Sequence, residues 1–414
     1  MKTLISERPW LLLLWTALIA LFAPAFWSAV RDYEPTSQAS GENVIDARRY
    51  PNLQAALDAL PASGGIVTLP PGDHRISKPL EVTRGDVRIQ GCGPATHLVN
   101  ENKEGRPALI LRPPERPAAN QEMNGPRIWR THVADLRISG NPQSGDGLLA
   151  VGVNELYVHD LFIDHNGGHG ICLADCYENP RITDCNITYN GGAGIHLKSK
   201  SWNPVITSNH FEENRDGVEA LRIFNICMTG NSFDDHLRHG VIVEDSWGGI
   251  VVGNVIEQCA GIGMVLDRNC YGMNVSSNMF GQNTQGGLEV RGAWGCTVSA
   301  NTFCINANRA LVVGPGSGRI TITGNNFGNG YVGPDVKPRD FPASGLILEG
   351  TRDISVTGNT FAGLATEAIR AIGPCRRLVV LGNIFTDLPA GKSGMDLGEL
   401  RETLTDMNLK AETQ

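Results

Sequence analysis

Glycine followed by an apolar residue recurs through the middle of the chain at steps of 23 or 24 residues. The series contains Gly147, Gly170, Gly194, Gly217, Gly240, Gly263 and Gly287. Asparagines recur with nearly the same period, at Asn186, Asn209, Asn231, Asn254, Asn278, Asn301, Asn326, Asn359 and Asn383. A fixed period of about 20–50 residues is typical of a solenoid, in which each repeat stacks on the next. This periodicity restricts the fold more than any other feature of the sequence.

The residues after each glycine alternate between apolar and polar, as in Ile195-His196-Leu197-Lys198. Strict alternation that is rich in β-branched residues predicts short strands. The leucine-rich repeat has a similar period, but its LxxLxL frame is absent. We therefore predict an all-β, single-chain, right-handed parallel β-helix of about 11–12 coils with roughly 23 residues each. Asparagine tolerates left-handed backbone at turns, and stacked asparagine side chains can hydrogen-bond between coils.

The sequence divides into four parts. Residues 1–30 are predicted to be a signal peptide or a membrane anchor, because Lys2 and Arg8 lead into an uncharged stretch from Trp10 to Val30 that is long enough to span a bilayer. Residues 31–42 are a linker, 43–392 the β-helix with a short capping helix at 51–60, and 393–414 a C-terminal cap or tail. The protein is expected to be exported, that is, extracellular, periplasmic or anchored through residues 10–30 and facing outward.

Composition excludes several classes of protein. A hydrophobic content of 41% is that of a globular chain rather than a disordered one. The net charge of −8 argues against nucleic acid as a partner, because nucleic-acid binding needs basic patches. The 10 cysteines fall mostly at repeat positions that favour small buried residues, so we predict buried thiols, with room for one or two local disulfides. A β-helix of this length folds without a partner, and a monomer is expected.

The first part of the predicted β-helix carries a recognisable order of motifs. Residues 53–60 read LQAALDAL, residues 64–74 read GGIVTLPPGDH, and residues 89–93 read IQGCG. This order resembles the N-terminal part of the pectate lyase/pectin lyase-like superfamily, as in its rhamnogalacturonase- and epimerase-like members, and the resemblance extends over about residues 43–390. It implies the same β-helix and a carbohydrate ligand. It does not imply one reaction, because this fold hosts lyases, hydrolases, epimerases and non-catalytic proteins.

Charged residues concentrate on one face of the predicted rod, since the second and fourth residues after each repeat glycine point outward. The candidate catalytic residues on or beside this face are Lys198, Arg222, Glu219, Glu244 and Asp267. The three carboxylates suit a glycoside hydrolase, whose two carboxyl groups lie about 5–9.5 Å apart. Lys198 with Arg222 suits a uronate lyase, which needs a base for proton removal. Ca²⁺ is the candidate cofactor, because it takes oxygen ligands; no dedicated metal site is predicted.

Aromatic residues recur at the turn that follows the charged face. The series is Tyr177, Trp202, Phe224, Trp247, Tyr271 and Trp294, in a chain with only 6% aromatic residues. Such a column either stacks on sugar rings or packs coil on coil. Its position beside the charged face favours a site for polysaccharide. The predicted substrate-binding residues are His196, Trp202, Trp247, Tyr271, Glu289, Arg291 and Trp294.

Family motifs are only partly present. Lys198-Ser199 and Leu237-Arg238-His239-Gly240 resemble elements of alginate lyase/chondroitinase B-like enzymes, but glycines stand where that family has paired glutamates. His165 and His169 are interpreted as solvent-facing turn residues. We therefore predict a polysaccharide-active enzyme, a lyase or a glycoside hydrolase, with a groove on one parallel sheet. The alternative is a non-catalytic carbohydrate-binding or NosD-like accessory β-helix protein.

Overall fold

The computed structural model describes residues 43–116, 125–306, 309–330, 342–392, 394–398 and 401–410. The predicted signal peptide or anchor at 1–30 and the linker at 31–42 lie outside these residues. Within them, no helix has the length and hydropathy needed to cross a membrane.

The described chain winds into a parallel β-solenoid of about 14 turns, which confirms the right-handed β-helix. It has more turns than predicted because the non-repeating ends also form coils. Each full coil passes through three parallel sheets in a fixed order, and we call them sheet 1, sheet 2 and sheet 3. Sheets 1 and 2 are continuous through the long strands Thr131–Ser139 and Tyr157–Asp164.

Sheet 1 consists of the first halves of those two strands together with strands Val44–Asp46, Gly65–Thr68, Val87–Gln90, Arg181–Thr183, Val205–Thr207, Phe224–Thr229, Trp247–Val252, Tyr271–Ser276, Thr297–Ser299, Gly318–Thr323, Arg352–Thr357, Arg376–Leu381 and Arg401–Asp406. Sheet 2 consists of their second halves and strands Gly72–Ile76, Thr96–Asn100, Asn186–Thr188, His210–Glu212, Ser232–Asp234, Val255–Glu257, Met279–Gly281, Thr302–Cys304, Asn326–Gly328, Thr360–Ala362, Ile384–Thr386 and Leu409–Lys410.

Sheet 3 has one strand per coil, namely Leu80–Val82, Leu109–Leu111, Leu148–Val151, Ile171–Ala174, Ala193–Ser199, Asp216–Leu221, Val241–Glu244, Ile262–Asp267, Gly286–Val290, Leu311–Val313, Leu346–Glu349, Ile369–Ile372 and Met395–Asp396. A separate pair, Ile128–Trp129 with Val153–Asn154, lies between sheets. The described helices are a 3₁₀ turn, Ala47–Arg49, and the α-helix Leu53–Asp58.

Both ends of the rod are built from the chain that borders the repeats. The helix Leu53–Asp58 falls within the predicted capping segment, and its first turn is capped by Asn52, whose side chain accepts a hydrogen bond from the backbone of Ala55. At the other end, strands Arg401–Asp406 and Leu409–Lys410 pair with the preceding coil. The β-helix therefore extends beyond the boundary predicted at residue 392.

Inward side chains stack along the rod and form one continuous core. Phe211 lies parallel to Phe233, with ring centroids 4.7 Å apart. A second stack contains Phe280, Phe303, Phe327, Phe361 and Phe385. All ten cysteines are free thiols and eight of them are buried. The predicted buried thiols are thus confirmed, and the local disulfides that the sequence allowed are not formed.

A ladder of asparagines, all buried except the half-buried Asn408 at its end, closes the corner between sheets 1 and 2. In each step the backbone N–H and the side-chain amide donate to the side-chain oxygen of the next asparagine, at 2.9–3.0 Å for Asn231 to Asn254. The ladder contains Asn209, Asn231, Asn254, Asn278, Asn301, Asn325, Asn359, Asn383 and Asn408.

Two details of the predicted asparagine series are corrected. The ladder uses Asn325 where the sequence series placed Asn326, which is exposed and lies in a strand. The left-handed backbone belongs to the residue before the ladder asparagine, such as Ser208 with φ 57° or Ser277 with φ 56°. The asparagines are therefore needed for their side-chain hydrogen bonds rather than for their backbone conformation.

A second ladder, at the corner between sheets 2 and 3, is interrupted by His236. Asn190 and Asn214 precede it, and Cys259 and Asn283 follow it in the same position. His236 is buried, its Nδ1 faces the carbonyl of Asn214 at 3.3 Å, and burial lowers its pKa to about 4. The charge of Asp216 opposes this lowering and His210 adds to it.

The buried His236 makes stability depend on pH. The unfolded chain binds a proton at this position below pH 6.5 and the folded chain only below about 4. The contribution of neutral His236 to the free energy of unfolding is therefore fully present above pH 6.5 and is lost as pH falls toward 4. Between pH 7.5 and 4.5, we expect the unfolding free energy of His236→Asn to fall by about 2–3 kcal/mol less than that of wild type, at roughly 1.4 kcal/mol per pKa unit. Chemical denaturation at the two pH values measures this. A loss in His236→Asn as large as that of the wild-type protein would contradict the assignment.

Candidate functional site

The outer face of sheet 3 presents two columns of side chains. The first contains Cys172, His196, Glu219, Ile242, Val265, Glu289 and Val312, in register from coil to coil. The second contains Leu221, Glu244 and Asp267. Glu244 and Asp267 are therefore neighbours on adjacent coils, whereas Glu219 and Asp267 lie in different columns two coils apart.

His196 and Glu219 form the centre of the most concentrated polar cluster on this face. Nδ1 of His196 lies 2.8 Å from Oε2 of Glu219. Oε1 of Glu219 accepts hydrogen bonds from Arg215 at 2.7 Å and from Arg238 at 2.6 Å. Because Nδ1 faces a carboxylate, it donates, and the neutral imidazole then carries its lone pair on Nε2.

Asp216 holds the two arginines from beneath. It is fully buried, and its carboxylate accepts hydrogen bonds from Arg215 at 2.9 Å and from Arg238 at 2.6 and 2.7 Å. The same carboxylate accepts the backbone N–H of His239. A buried acid that is satisfied by two guanidinium groups fixes their orientation, so both arginines are pre-positioned at the cluster.

His169 completes the cluster from the preceding coil. Its ring stacks on His196, with centroids 4.4 Å apart and planes 15° apart. Its Nδ1 accepts the backbone N–H of Ala193 at 2.9 Å, which leaves the proton of the neutral ring on Nε2. Burial and the neighbouring charge of His196 lower the pKa of His169 to about 4. A Cβ at Gly192 would lie 2.7 Å from Nδ1 of His169, so the glycine makes room for this ring.

Two further groups border the cluster. Asp146 accepts the backbone N–H of His169 at 2.7 Å, and burial raises the pKa of Asp146 although Lys198 and His196 oppose the shift. Burial also tends to raise the pKa of Glu219, but the hydrogen bond from His196 and the charge of Arg215 outweigh it, so the net shift is downward. Glu219 is therefore an ionised acceptor, and Asp146 holds its proton more tightly than an exposed aspartate does.

The cluster has the residue types of a metal centre, because one ligand atom from each of His169, His196 and Glu219 lies within 4.8 Å of the others. Both oxygens of Glu219 already accept hydrogen bonds, and two guanidinium groups lie next to it. Positive charge at this position opposes a cation. The donor set suits proton transfer better than metal binding.

The other predicted catalytic and binding residues on sheet 3 are dispersed. Glu244 is paired with Arg268, and one oxygen of Asp267 accepts the backbone N–H of Arg268. Glu289 is almost completely buried and is paired with Arg291 and Arg309. These carboxylates are engaged within the protein. Lys198 is half-buried on sheet 3.

The aromatic column lies at the junction of sheet 3 and sheet 1, where the sequence predicted a turn, and Phe224, Trp247 and Tyr271 are the first residues of sheet 1 strands. Tyr177, Trp202 and Phe224 pack on one another with centroids 4.8 and 5.1 Å apart. Trp202, Phe224, Trp247 and Tyr271 are nevertheless 37–53% exposed. A cleft of about 780 Å³ follows this column, and its lining consists of Gly125, Arg127, Tyr177, Lys200, Trp202, Arg222, Phe224 and Trp247. The rings therefore pack coil on coil and also face solvent.

A buried ion-pair cluster supports one wall of this cleft. Asp175 accepts hydrogen bonds from Arg116 at 2.9 Å and from Arg127 at 2.9 and 3.0 Å. The guanidinium of Arg127 then lies 5.3 Å from the ring centre of Tyr177. The predicted Arg222 lines the same cleft rather than the sheet-3 cluster.

Sequence reasoning missed Asp146, Arg215 and Asp216, and named Arg238 only as part of a family motif. The interpretation of His169 as a solvent-facing turn residue is wrong, because its ring packs on His196 and is largely buried. Asp146, His169, Asp216 and His239 each directly precede a repeat glycine, so reading that column as well would have revealed Asp146, His169 and Asp216. His165, grouped with His169 in the sequence, instead pairs with Asp164 and stacks on Tyr189.

Comparison with known proteins agrees with this architecture. A family model described as a right handed beta helix region matches residues 146–303. No curated protein matches the chain. The A-module of the mannuronan C-5 epimerase AlgE4 from Azotobacter vinelandii is 16% identical, covers 89% of this chain and 100% of its own, and superimposes with a TM-score of 0.58.

Two other solved structures are similar to a comparable degree. A DFA-IIIase from Arthrobacter chlorophenolicus, in complex with GF2, is 15% identical over 83% of this chain and 94% of its own, with a TM-score of 0.53. Tailspike protein 3 of bacteriophage CBA120 is 13% identical over 86% of this chain and 65% of its own, with a TM-score of 0.56. At these identities the likeness shows the fold alone, a right-handed parallel β-helix, which is the fold that the sequence resemblance implied.

Proposed function

We propose that the chain is an exported enzyme that cleaves an acidic polysaccharide by β-elimination at the His196–Glu219 cluster. The observation that carries this proposal is the hydrogen bond from His196 Nδ1 to Glu219, beside two arginines held by Asp216. A histidine oriented by a carboxylate is a general base near neutral pH. The apolar stretch in residues 1–30 supports export, and activity is expected in the envelope or medium fraction of cells that carry the full chain.

The chemistry assigns a role to each member of the cluster. Nε2 of His196 takes the proton from the carbon next to the uronate carboxylate, the bond from the neighbouring ring carbon to the glycosidic oxygen breaks, and a carbon–carbon double bond forms. The imidazolium then returns its proton to the leaving oxygen. Arg215 and Arg238 face the carboxylate whose charge grows as the proton leaves. Glu219 is a positioning residue, since it holds the tautomer of His196.

A glycoside hydrolase is supported less well by the same geometry. Such an enzyme needs a carboxylic acid that donates a proton beside a second carboxylate. Three hydrogen-bond donors keep Glu219 ionised, and Glu244 is paired with Arg268. A non-catalytic carbohydrate-binding role is the second candidate, and the exposed aromatic column favours it.

The test is an incubation of the full chain with polygalacturonate, alginate and a neutral glucan, with and without Ca²⁺. We expect an absorbance increase from unsaturated uronate products on an acidic polysaccharide. New reducing ends without that absorbance would identify a hydrolase and contradict β-elimination. Neither product, with binding retained, would contradict catalysis and favour the second candidate.

A further inference from the structure

We propose that the junction of sheet 3 and sheet 1 carries a separate binding track for an acidic polysaccharide, in which exposed aromatic rings lead into a row of arginines. We call it the aromatic–arginine track. Its aromatic part is the column already described, and its arginine part contains Arg319, Arg352 and Arg376.

The two parts lie on one line of the solenoid. Tyr271 is in register with Trp294, and Trp294 with Gly318. Gly318 is in register with Arg352, and Arg352 with Arg376. Adjacent coils are about 4.8 Å apart, so the line presents one position per coil along the rod axis; in the coil of Gly318 the side chain comes from the next residue, Arg319. An extended polymer that follows the axis meets these groups in succession.

The junction of the two parts is itself a cleft. The guanidinium of Arg352 lies 4.9 Å from the ring centre of Trp294, and that of Arg319 lies 6.0 Å away. Trp294, Arg352 and Arg376 line a cavity of about 420 Å³. The first cleft, which holds Trp202 and Arg222, lies further toward the N-terminus on the same line. The track therefore has two hollows that combine an aromatic ring with positive charge.

In the described part of the chain, the cations along the track and its first cleft form no ion pair with a carboxylate. They are Lys200, Arg222, Arg319, Arg352 and Arg376, whereas most exposed arginines do form one, such as Arg377 with Asp353. Unpaired positive charge on one line of a protein with a net charge of −8 is complementary to a polyanion.

The chemistry of the track selects among polyanions. Ring faces stack on the apolar faces of sugars, and guanidinium groups bind carboxylates with two parallel hydrogen bonds. The occupant is therefore a carboxylated polysaccharide. This inference goes beyond the proposed function, because binding on the track requires neither His196 nor any reaction.

The test compares binding of polygalacturonate with that of fully methyl-esterified pectin, which keeps the backbone and removes the charge. We expect esterification to weaken binding at least tenfold, and binding of polygalacturonate to weaken as salt rises. The double variant Arg352→Gln/Arg376→Gln and the double variant Trp202→Ala/Trp247→Ala are each expected to weaken it tenfold or more. Arg377→Gln, next in sequence but paired with Asp353, is the matched control and should bind within twofold of wild type.

Each result bears on the track independently of catalysis. The binding measurement requires no product, so a failure of the catalytic proposal leaves this one standing. Circular dichroism checks that each variant keeps the β-helix, and the solvent-exposed arginine positions make folding failure a minor concern. Equal binding of esterified pectin, or equal effects of the double arginine variant and Arg377→Gln, would overturn the track. Tighter binding of single-stranded DNA than of polygalacturonate would also overturn it.

Discussion

Replacement of His196 by Gln is expected to lower the turnover number on an acidic polysaccharide by about 10²–10⁴-fold, the usual contribution of a positioned general base. Glutamine keeps a polar group near Glu219 but cannot take the proton. Steady-state measurement of unsaturated product gives the effect. Because the base acts only in the chemical step, the turnover number should fall far more than the Michaelis constant changes.

A second histidine–carboxylate pair provides the control for this substitution. His165 faces Asp164 at 2.7 Å and stacks on Tyr189 at the end of a sheet 2 strand. His165→Gln should retain wild-type turnover and stability. Comparable turnover in His196→Gln and wild type would exclude His196 as the base and return attention to Lys198, the base that the sequence first indicated.

Replacement of Asn325 by Ala is expected to lower the free energy of unfolding by about 2–6 kcal/mol. The side-chain oxygen of Asn325 accepts a hydrogen bond from the backbone N–H of Asn301 at 2.9 Å, and the side-chain amide of Asn325 donates to the carbonyl of Val298 at 3.0 Å. Both partners are buried, and a buried polar group that loses its partner costs about 1–3 kcal/mol. Denaturant titration followed by circular dichroism measures the change.

The neighbouring asparagine is a matched control. Asn326 is exposed in its strand, although it is the same residue type one position away. Asn326→Ala is expected to change the unfolding free energy by less than about 0.5 kcal/mol, as surface substitutions usually do. Equal losses in the two variants would show that the ladder adds nothing to stability beyond what any asparagine in this coil contributes.

The fold was predictable because the repeat itself is a physical constraint. A glycine every 23 or 24 residues, followed by alternating residues, permits few structures other than stacked strands. The number of coils was underestimated because residues 44–100 and 394–410 form coils without that glycine signature. Asn326 was chosen over Asn325 because sequence spacing cannot show which of two adjacent asparagines faces the core.

The site was less predictable because it depends on register and on side-chain direction. The pairing of His196 with Glu219 follows from one coil step, so the sequence brought the two residues into one patch. It did not indicate that Glu244 would be bound by Arg268 or that Glu289 would be buried with Arg291. Those partners are set by local side-chain conformations that a periodic pattern does not encode. Arg215 and Asp216 were missed because they precede the repeat glycine.

Each coil pairs with its immediate neighbours along the axis. The molecule is therefore a one-dimensional array of cooperative units. In such arrays opening begins at the ends and spreads inward, so local stability is graded along the axis. The His196–Glu219 cluster spans strands Ile171–Ala174 to Val241–Glu244, the fourth to seventh of the thirteen in sheet 3. Amide hydrogens there are sheltered by several coils on either side. The terminal coils can therefore fray and re-form without moving the groups that transfer protons.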